Sequence, residues 1–383
     1  MERVTLSSIN QYVSATVNPA DTPEDLFELY SVPSYENQYP EIVKGKEIGS
    51  AKAVVQEGDV LICKINPKIN RVWVVKHNTE YPLLASSEWI VVRNSAINSN
   101  YLKWYFMSPF FRKLLTSQVA GIGGSLTRAQ PKQVAKYPVP IVELEKQGKI
   151  VNLLEKVNFV ISARQQQLAK LDELVKARFV EMFGDPLQNQ RGWPTKSLLE
   201  MGCCKNGMNF HADDSGIEIR CLGVGDFKDL SVIEGTTQLP MVSLGQKPSE
   251  ESMLHDGDIV FVRSNGNKNL VGRCVVVYPG TTPTTYSGFC IRYRLTCNDV
   301  MIPYLMCVLK SESTRSKMTG RGVNIQNLNQ QILATLNVPI PPMERQQKFA
   351  DIIVKCDRAK LSIRKSLEQM ETLKKSLMQK YFG

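Results

Sequence analysis

An internal repeat constrains the fold of this chain more than any other sequence feature. Four short segments recur 199 residues later, which chance does not readily explain. Because the repeating unit is far longer than a solenoid repeat and contains its own strand-like runs, we predict two copies of one module. The recurring pairs are Gly58-Asp59-Val60 with Gly257-Asp258-Ile259, Val139-Pro140-Ile141 with Val338-Pro339-Ile340, Glu145-Lys146-Gln147 with Glu344-Arg345-Gln346, and Phe183-Gly184 with Phe382-Gly383.

Each module is predicted to consist of a mixed domain followed by a long helix. The chain has 383 residues, more than a single hydrophobic core usually supports. Short β-branched runs bounded by Gly, Pro or Asn indicate three strands at matching places in each copy, over residues 59–65, 72–76 and 89–93 and over residues 257–263, 273–278 and 289–295. We therefore predict a first domain over residues 1–142, a first helix over 143–184, a second domain over 185–341 and a second helix over 342–383.

The two long helices are predicted from a change in proline content and from apolar spacing. Prolines end at 140 in the first copy and at 342 in the second, and about 40 residues without proline follow each time. Each of these stretches carries one narrow apolar stripe, for example Ile150, Leu154 and Val157. The helices either pack on their own domains or pair with each other. We favour pairing, because helices of roughly 60 Å outreach a domain of this size.

Basic residues are segregated within each module, although the formal net charge is only +10. Residues 89–142 contain seven Lys or Arg and no acid, and residues 259–298 contain five and no acid. Strands disfavour Asp and Glu, which offers an alternative explanation for either stretch alone. Taken with the loops described next, the segregation indicates one positive face per module, suited to a polyanion such as nucleic acid.

Two pairs of loops combine cations with asparagine or glycine. The loops 64–71 and 263–269 hold equivalent places and mix Lys or Arg with Asn, side chains that bind phosphates and base edges. The loops 121–130 and 319–324 place one arginine beside glycines that permit close backbone approach. These loops and the acid-free stretches together give the candidate DNA contacts, which are Lys64, Asn66, Lys68, Asn70, Arg71, Arg93, Arg128, Arg263, Asn265, Asn267, Lys268, Arg273, Arg292, Arg321 and Asn324.

The sequence contains no strong catalytic or metal-binding motif, so we predict neither kind of site. The nine cysteines form no CxxC pair, which argues against a zinc finger and favours reduced thiols in a cytoplasmic protein. No apolar run approaches bilayer length, so no membrane partner is expected. Ser108-Pro109-Phe110-Phe111 lacks the second proline of an amino-methyltransferase motif and is better interpreted as a helix start. Asp213 with Asp226 only loosely matches a nuclease pattern.

The chain resembles the specificity subunits of type I restriction-modification systems. The resemblance spans the whole chain and is clearest at Val338 to Gln347, a Val-Pro-Ile-Pro-Pro-Met-Glu-Arg-Gln-Gln stretch that leads into a long helix ending near Phe-Gly. In the first copy Val142-Glu143 replaces Pro341-Pro342. The resemblance implies an α+β protein with two α/β target-recognition domains in a pseudo-twofold repeat, separated by two long antiparallel coiled-coil helices.

The resemblance also implies a function and partners. Each domain would read one half of a split asymmetric target in double-stranded DNA, and the helices would set the gap between the halves. Two modification subunits would dock on the helices, bind S-adenosylmethionine and methylate adenine, and motor-nuclease restriction subunits would join for cleavage. The chain itself would be non-catalytic and bind no cofactor. An independent methyltransferase or nuclease, and a purely structural coiled-coil scaffold, are the alternative classes.

An antiparallel pairing of the helices has a consequence for the chain termini. The free end of the second helix would lie beside the first domain, close to Met1, and the two copies would be related by an approximate twofold axis.

Overall fold

The computed structural model divides into two compact units, which we describe separately. Unit 1 comprises Met1–Gln166 and Arg364–Gly383, and unit 2 comprises Gln167–Ile363. The structure describes residues 2–117, 119–120, 127–210, 216–227, 230–319 and 327–383.

Unit 1 is built around two sheets. The first sheet has the strand order β2-β5-β8-β3-β4 and the second has the order β7-β6-β9, while β1 pairs with β12 and β10 with β11. The strands are β1 (Glu2–Thr5), β2 (Thr16–Val17), β3 (Leu26–Tyr30), β4 (Glu41–Lys44), β5 (Lys52–Val54), β6 (Val60–Cys63), β7 (Val72–Val74), β8 (Leu83–Ala85), β9 (Trp89–Val92), β10 (Val119–Ala120), β11 (Arg128–Ala129) and β12 (Pro138–Ile141). The helices are α1 (Leu6–Ile9), α2 (Ser99–Phe106), α3 (Pro109–Ser117), α4 (Pro131–Val134) and the first part of α5 (Leu144–Phe183).

Unit 2 has a corresponding pair of sheets. Their strand orders are β14-β21-β18-β19-β16 and β17-β15-β20, and β13 pairs with β22. The strands are β13 (Thr195–Ser197), β14 (Gly202–Asn206), β15 (Ile217–Leu222), β16 (Val232–Glu234), β17 (Met241–Leu244), β18 (Asp258–Val262), β19 (Cys274–Tyr278), β20 (Thr284–Tyr286), β21 (Cys290–Leu295) and β22 (Asn337–Pro339). The helices are α6 (Leu198–Met201), α7 (Ile302–Lys310), α8 (Glu312–Thr319), α9 (Gln330–Ala334) and α10 (Met343–Phe382).

A tight turn leads into the central strand of each unit. Gly58 has φ +88° and Gly257 has φ +87°, a left-handed conformation that glycine adopts without steric cost. The apolar strands that follow, β6 and β18, are fully buried. In each unit apolar residues of the neighbouring helix, α2 or α7, share a core with residues of this strand. Burial of this apolar surface stabilises both cores.

The two long helices are continuous over 40 residues each, α5 from Leu144 to Phe183 and α10 from Met343 to Phe382. In unit 1, Lys374 Nζ donates to Asn158 Oδ1 at 2.7 Å, and Leu154 shares a core with Met378. As residue numbers rise along α5 they fall along α10, so the segments of unit 1 run antiparallel. No helix of the described residues is long and apolar enough to span a membrane.

The helix segments of unit 2 also run antiparallel. Lys360 Nζ lies 2.6 Å from Asp172 Oδ1, and the Phe349 ring lies 5.4 Å from the ring of Phe183.

All fourteen residues of the apolar stripes predicted for the two long helices are buried or half-buried. These residues are Ile150, Leu154, Val157, Ile161, Leu168, Leu171, Val175, Phe349, Ile353, Cys356, Ile363, Leu367, Met370 and Leu377.

The two ends of the described chain meet within unit 1. Arg3 Nη2 donates a hydrogen bond of 2.7 Å to the carbonyl oxygen of Gly383. The guanidinium of Arg3 also lies 4.7 Å from the centroid of the Phe110 ring. The predicted proximity of the second helix's free end to the start of the chain is therefore confirmed.

Candidate nucleic-acid interface

The structure brings the two predicted loops of unit 1 into direct contact. Ile65 and Arg128 form an antiparallel β-bridge. The amide of Asn66 donates to the carbonyl of Thr127 at 2.9 Å, and the amide of Ala129 donates to the carbonyl of Lys64 at 2.8 Å. The cations of loop 64–71 and Arg128 thus share one region of the unit, although about 60 residues separate them in the sequence.

Unit 2 has a related contact just beyond its second predicted loop, 319–324. Ser264 and Asn327 form an antiparallel bridge, and the amide of Leu328 donates to the carbonyl of Arg263 at 2.8 Å. The candidates Arg321 and Asn324 belong to the same second loop but lie outside the described residues.

Loop 64–71 is a fixed turn with an exposed tip. Asn66 and Asn70 both have left-handed backbones, with φ of 45° and 48°, and they flank a 3-10 turn over Pro67–Ile69. Pro67 is buried, whereas Lys68 is exposed. Asn70 Nδ2 donates to the carbonyl of Phe106 at 3.1 Å, so this side chain points into the unit. Asn70 is therefore corrected from a DNA contact to a residue that anchors the loop.

Asparagines also shape loop 263–269. Asn265 Oδ1 accepts from the amide of Asn267, and Asn267 Oδ1 accepts from the amide of Asn269, at 2.9 and 3.0 Å. Such side-chain to backbone bonds stabilise tight turns without a regular ladder. They fix the backbone so that Lys268 stands exposed at the tip.

Two arginines that were not among the candidates hold the loops from neighbouring helices. In unit 1, Arg112 Nη2 donates to the carbonyl of Lys68. In unit 2, Arg315 Nη2 donates to the carbonyls of Asn269 and Val271 at 3.3 and 3.2 Å. Burial lowers the pKa of Arg315. The signal in the sequence was their equivalent position, eleven residues after Tyr101 and Tyr304.

The charge of Arg93, a predicted DNA contact, is used inside the fold, which argues against that contact. Arg93 Nη2 lies 2.7 Å from Asp59 Oδ2, and the Asp59 side chain is only 1% exposed. Hydrogen bonding to this carboxylate raises the pKa of Arg93. Releasing Arg93 to a phosphate would leave a buried carboxylate without its counter-ion, which is costly.

Arg292 is likewise excluded as a DNA contact by its position. It is 3% exposed, on strand β21, which lies between β14 and β18 in the middle of a sheet. Arg292 Nη2 donates to the carbonyl of Glu251 at 3.5 Å, and Nη1 lies 3.7 Å from Cys203 Sγ. A side chain so enclosed cannot reach DNA without opening the sheet.

The remaining candidates lie at or beside the loops. Arg71 lies 3.5 Å from Glu36, and Arg128, 48% exposed, lies 3.1 Å from Glu88. A partly exposed ion pair such as that of Arg128 contributes little to stability. Lys64, Arg263 and Arg273 are half-buried at the loop ends.

The near-match to a methyltransferase motif is a helix start, as its sequence indicated. Ser108 is buried and its Oγ accepts a hydrogen bond of 3.1 Å from the amide of Phe111, at the first turn of α3. Within the described ranges, no group of three or more His, Cys, Asp or Glu residues could hold a metal ion. Asp213 of the weak nuclease pattern lies outside those ranges.

Each unit combines two sheets, basic loops and antiparallel segments of the long helices. This combination defines the class of protein to which the chain belongs. The family model described as the type I restriction modification DNA specificity domain matches residues 232–372. The chain is 30% identical over 351 residues to the type I restriction enzyme MjaVIII specificity subunit of Methanocaldococcus jannaschii, covering 87% of this chain and 80% of that protein. The chain belongs to the family of type I restriction enzyme specificity subunits.

Two further similarities agree with this assignment. The StySPI specificity subunit of Salmonella potsdam is 24% identical over 311 residues, which cover 75% of this chain and 65% of that subunit's length. A chain solved in work on the complex assembly and conformational transition of the type I R-M system has the same fold, with a TM-score of 0.64 at 17% identity. That alignment covers 100% of this chain and 97% of the solved one.

Proposed function

We propose that this chain is the DNA sequence-specificity subunit of a type I restriction-modification enzyme, and that each unit reads one half of a split asymmetric target. The observation that carries the proposal is that loop 64–71 contacts loop 121–130 in unit 1, through Asn66 and Thr127, and that Ser264 of loop 263–269 forms a corresponding bridge with Asn327 in unit 2. Two loops that share one region can present phosphate-binding cations beside groups that read base edges.

Residues 1–142 and 185–341 are proposed to be the two target-recognition domains, related by a pseudo-twofold repeat. Equivalent contacts support this division. Gln147 accepts a hydrogen bond from the amide of Asn98 at 2.9 Å, and Gln346 accepts one from the amide of Met301 at 2.8 Å. The hydroxyl groups of Tyr101 and Tyr304 donate to the carbonyls of Pro140 and Pro339, at 3.0 and 2.9 Å.

The long helices are proposed to form an antiparallel coiled coil that sets the gap between half-sites and docks two modification subunits. Both long helices leave large apolar side chains exposed, and a docked modification subunit would bury them. Phe159 is 73% exposed and Leu361 is 56% exposed. The modification subunits would bind S-adenosylmethionine and methylate adenine, and motor-nuclease restriction subunits would add cleavage. The chain described here would supply recognition and no catalysis.

Within each recognition domain we assign different roles to different side chains. The exposed lysines at the loop tips, Lys68 and Lys268, would contact phosphates, and these contacts fix the register of the protein on the duplex. Arg263, Asn66 and the side-chain carboxamide groups of the other loop asparagines would read base edges in the major groove. The other proposed contacts are Lys64, Arg71, Arg128, Asn265, Asn267, Arg273, Arg321 and Asn324.

Reconstitution with the cognate modification subunits tests this function. We expect the assembled complex to bind and methylate one split DNA sequence, and the modification subunits without this chain to lose that sequence preference. Methylation by the purified chain alone would instead indicate an independent enzyme. A complex that assembles but does not bind DNA would indicate a structural scaffold.

A further inference from the structure

An exposed aromatic residue stands beside the basic loops of unit 2. Phe289 is 62% exposed and directly precedes the buried strand β21. Its carbonyl accepts hydrogen bonds from the amides of Arg263 and Ser264, at 2.8 and 3.3 Å. Phe289 is therefore attached to the start of loop 263–269, next to the bridge between Ser264 and Asn327.

The backbone around Phe289 is held on both sides. The amide of Gly288 donates to the carbonyl of Met208 at 2.7 Å, and the amide of Phe289 donates to Ser287 Oγ at 3.3 Å. A Cβ at Gly288 would lie 1.9 Å from Asn209 Oδ1, so a larger residue here would require the exposed Asn209 side chain to move. The fold thus presents the ring outward from a fixed turn, which reduces the entropy lost when the ring binds a partner.

The charge around Phe289 favours DNA as that partner. Arg263 Nη1 donates to the carbonyl of Gly288 at 3.3 Å, Lys268 is exposed on the adjoining loop, and residues 259–298 contain no acid. A fixed aromatic ring flanked by cations can contact base planes or methyl groups while the cations hold the phosphates. We propose that Phe289 contacts the bases of the half-site read by unit 2 and helps to determine its sequence. This inference rests on the proposed function of the chain.

The equivalent position in unit 1 has a different chemistry. Cys63 pairs with Trp89, and Val262 pairs with Cys290, so Glu88 occupies the place of Phe289. The amide of Lys64 donates to the carbonyl of Glu88 at 3.0 Å, matching the bond from Arg263 to Phe289. Glu88 binds Arg128. Only the half-site read by unit 2 therefore gains an aromatic contact at this position.

The experiment uses the full chain assembled with its modification subunits. The probes are a duplex carrying the sequence that the wild-type complex methylates, and a duplex in which only the half-site read by unit 2 is changed. The variants are Phe289→Ala and Phe289→Tyr. Tyr278→Ala is the matched control. Tyr278 is a partly exposed aromatic residue of the same sheet, and it lies at the end where the preceding Val277 pairs with Asp258, away from loop 263–269.

We expect Phe289→Ala to weaken binding of the target duplex by about tenfold or more, and to reduce discrimination between the two duplexes. The dependence of affinity on salt should not change, because no phosphate contact is lost. Phe289→Tyr and Tyr278→Ala should behave like the wild type. An unchanged target affinity for Phe289→Ala, or an equal loss on both duplexes, would overturn the inference. A wild-type complex that does not distinguish the duplexes would instead overturn the proposed function.

Discussion

Arg294 binds the buried carboxylate of Asp258 through two hydrogen bonds, from Nε to Oδ1 and from Nη2 to Oδ2, both at 2.8 Å. Arg93 binds Asp59 in the same way in unit 1. The two aspartates also accept hydrogen bonds from the backbone of the turn before the central strand. One carboxylate in each unit therefore connects the turn, the central strand and the strand beside it.

Arg294→Met is predicted to reduce the free energy of unfolding by about 3 kcal/mol, because it leaves the Asp258 carboxylate buried without a counter-ion. The Asp258 side chain is only 1% exposed. Urea unfolding followed by circular dichroism measures the change. The double variant Arg294→Met with Asp258→Asn should recover part of the loss, since it removes the uncompensated charge.

Arg263→Met is the matched control for this prediction. Arg263 is half-buried, and its Nη1 donates a long hydrogen bond of 3.3 Å to the carbonyl of Gly288. We expect a stability change below about 1 kcal/mol together with a clear loss of DNA affinity. Equal destabilisation by Arg263→Met and Arg294→Met would contradict the division between interface and structural arginines.

Lys268→Ala is predicted to weaken DNA binding by the assembled complex on all sequences and to lower the salt slope by about one unit, because one phosphate contact is lost. Titrating affinity against salt concentration measures this slope. Lys196→Ala is a suitable control, since Lys196 is ion-paired with Asp299. An unchanged affinity and slope for Lys268→Ala would remove this lysine from the interface.

The long helices could be predicted from sequence because their signals are local. Absence of proline and a regular apolar stripe were sufficient, and each of the six predicted strands contains an observed one. The contact between distant loops depends on how the strands pair in the sheets. The sequence showed only that these loops recur in both copies, and it did not show that they lie next to each other. The loops themselves were found because cations and asparagines recur at equivalent places.

The roles of individual arginines could not be predicted because they depend on distant partners. Asp59 lies 34 residues before Arg93, so counting acids within the stretch 89–142 missed their ion pair. Arg292 lies on a strand with neighbours on both sides, where a polar residue in an alternating pattern is not necessarily exposed. The sequence contains one weak indication that Phe289 could contact DNA. This aromatic residue follows a glycine and begins a predicted strand, within the stretch 259–298 that contains no acid.

A circular permutant is predicted to retain its fold and its target sequence. Arg3 binds the carbonyl of Gly383 at 2.7 Å, so a short linker can join Gly383 to Met1. The new chain would begin at Asp185, immediately after the Gly184 that ends α5 with φ +74°. Sequencing DNA methylated by the reconstituted complex reads the outcome. An insoluble permutant, or one that directs methylation to another sequence, would count against the antiparallel arrangement.

Exchange of one recognition domain tests the modular account most directly. Residues 1–142 would be replaced by the same region of a relative, and the methylated adenines would be mapped in DNA modified by the parent and chimeric complexes. Because each unit has its own core and its own pair of loops, one half of the methylated sequence should change while the other half and the gap stay the same. A change in both halves, or in neither, would contradict the account.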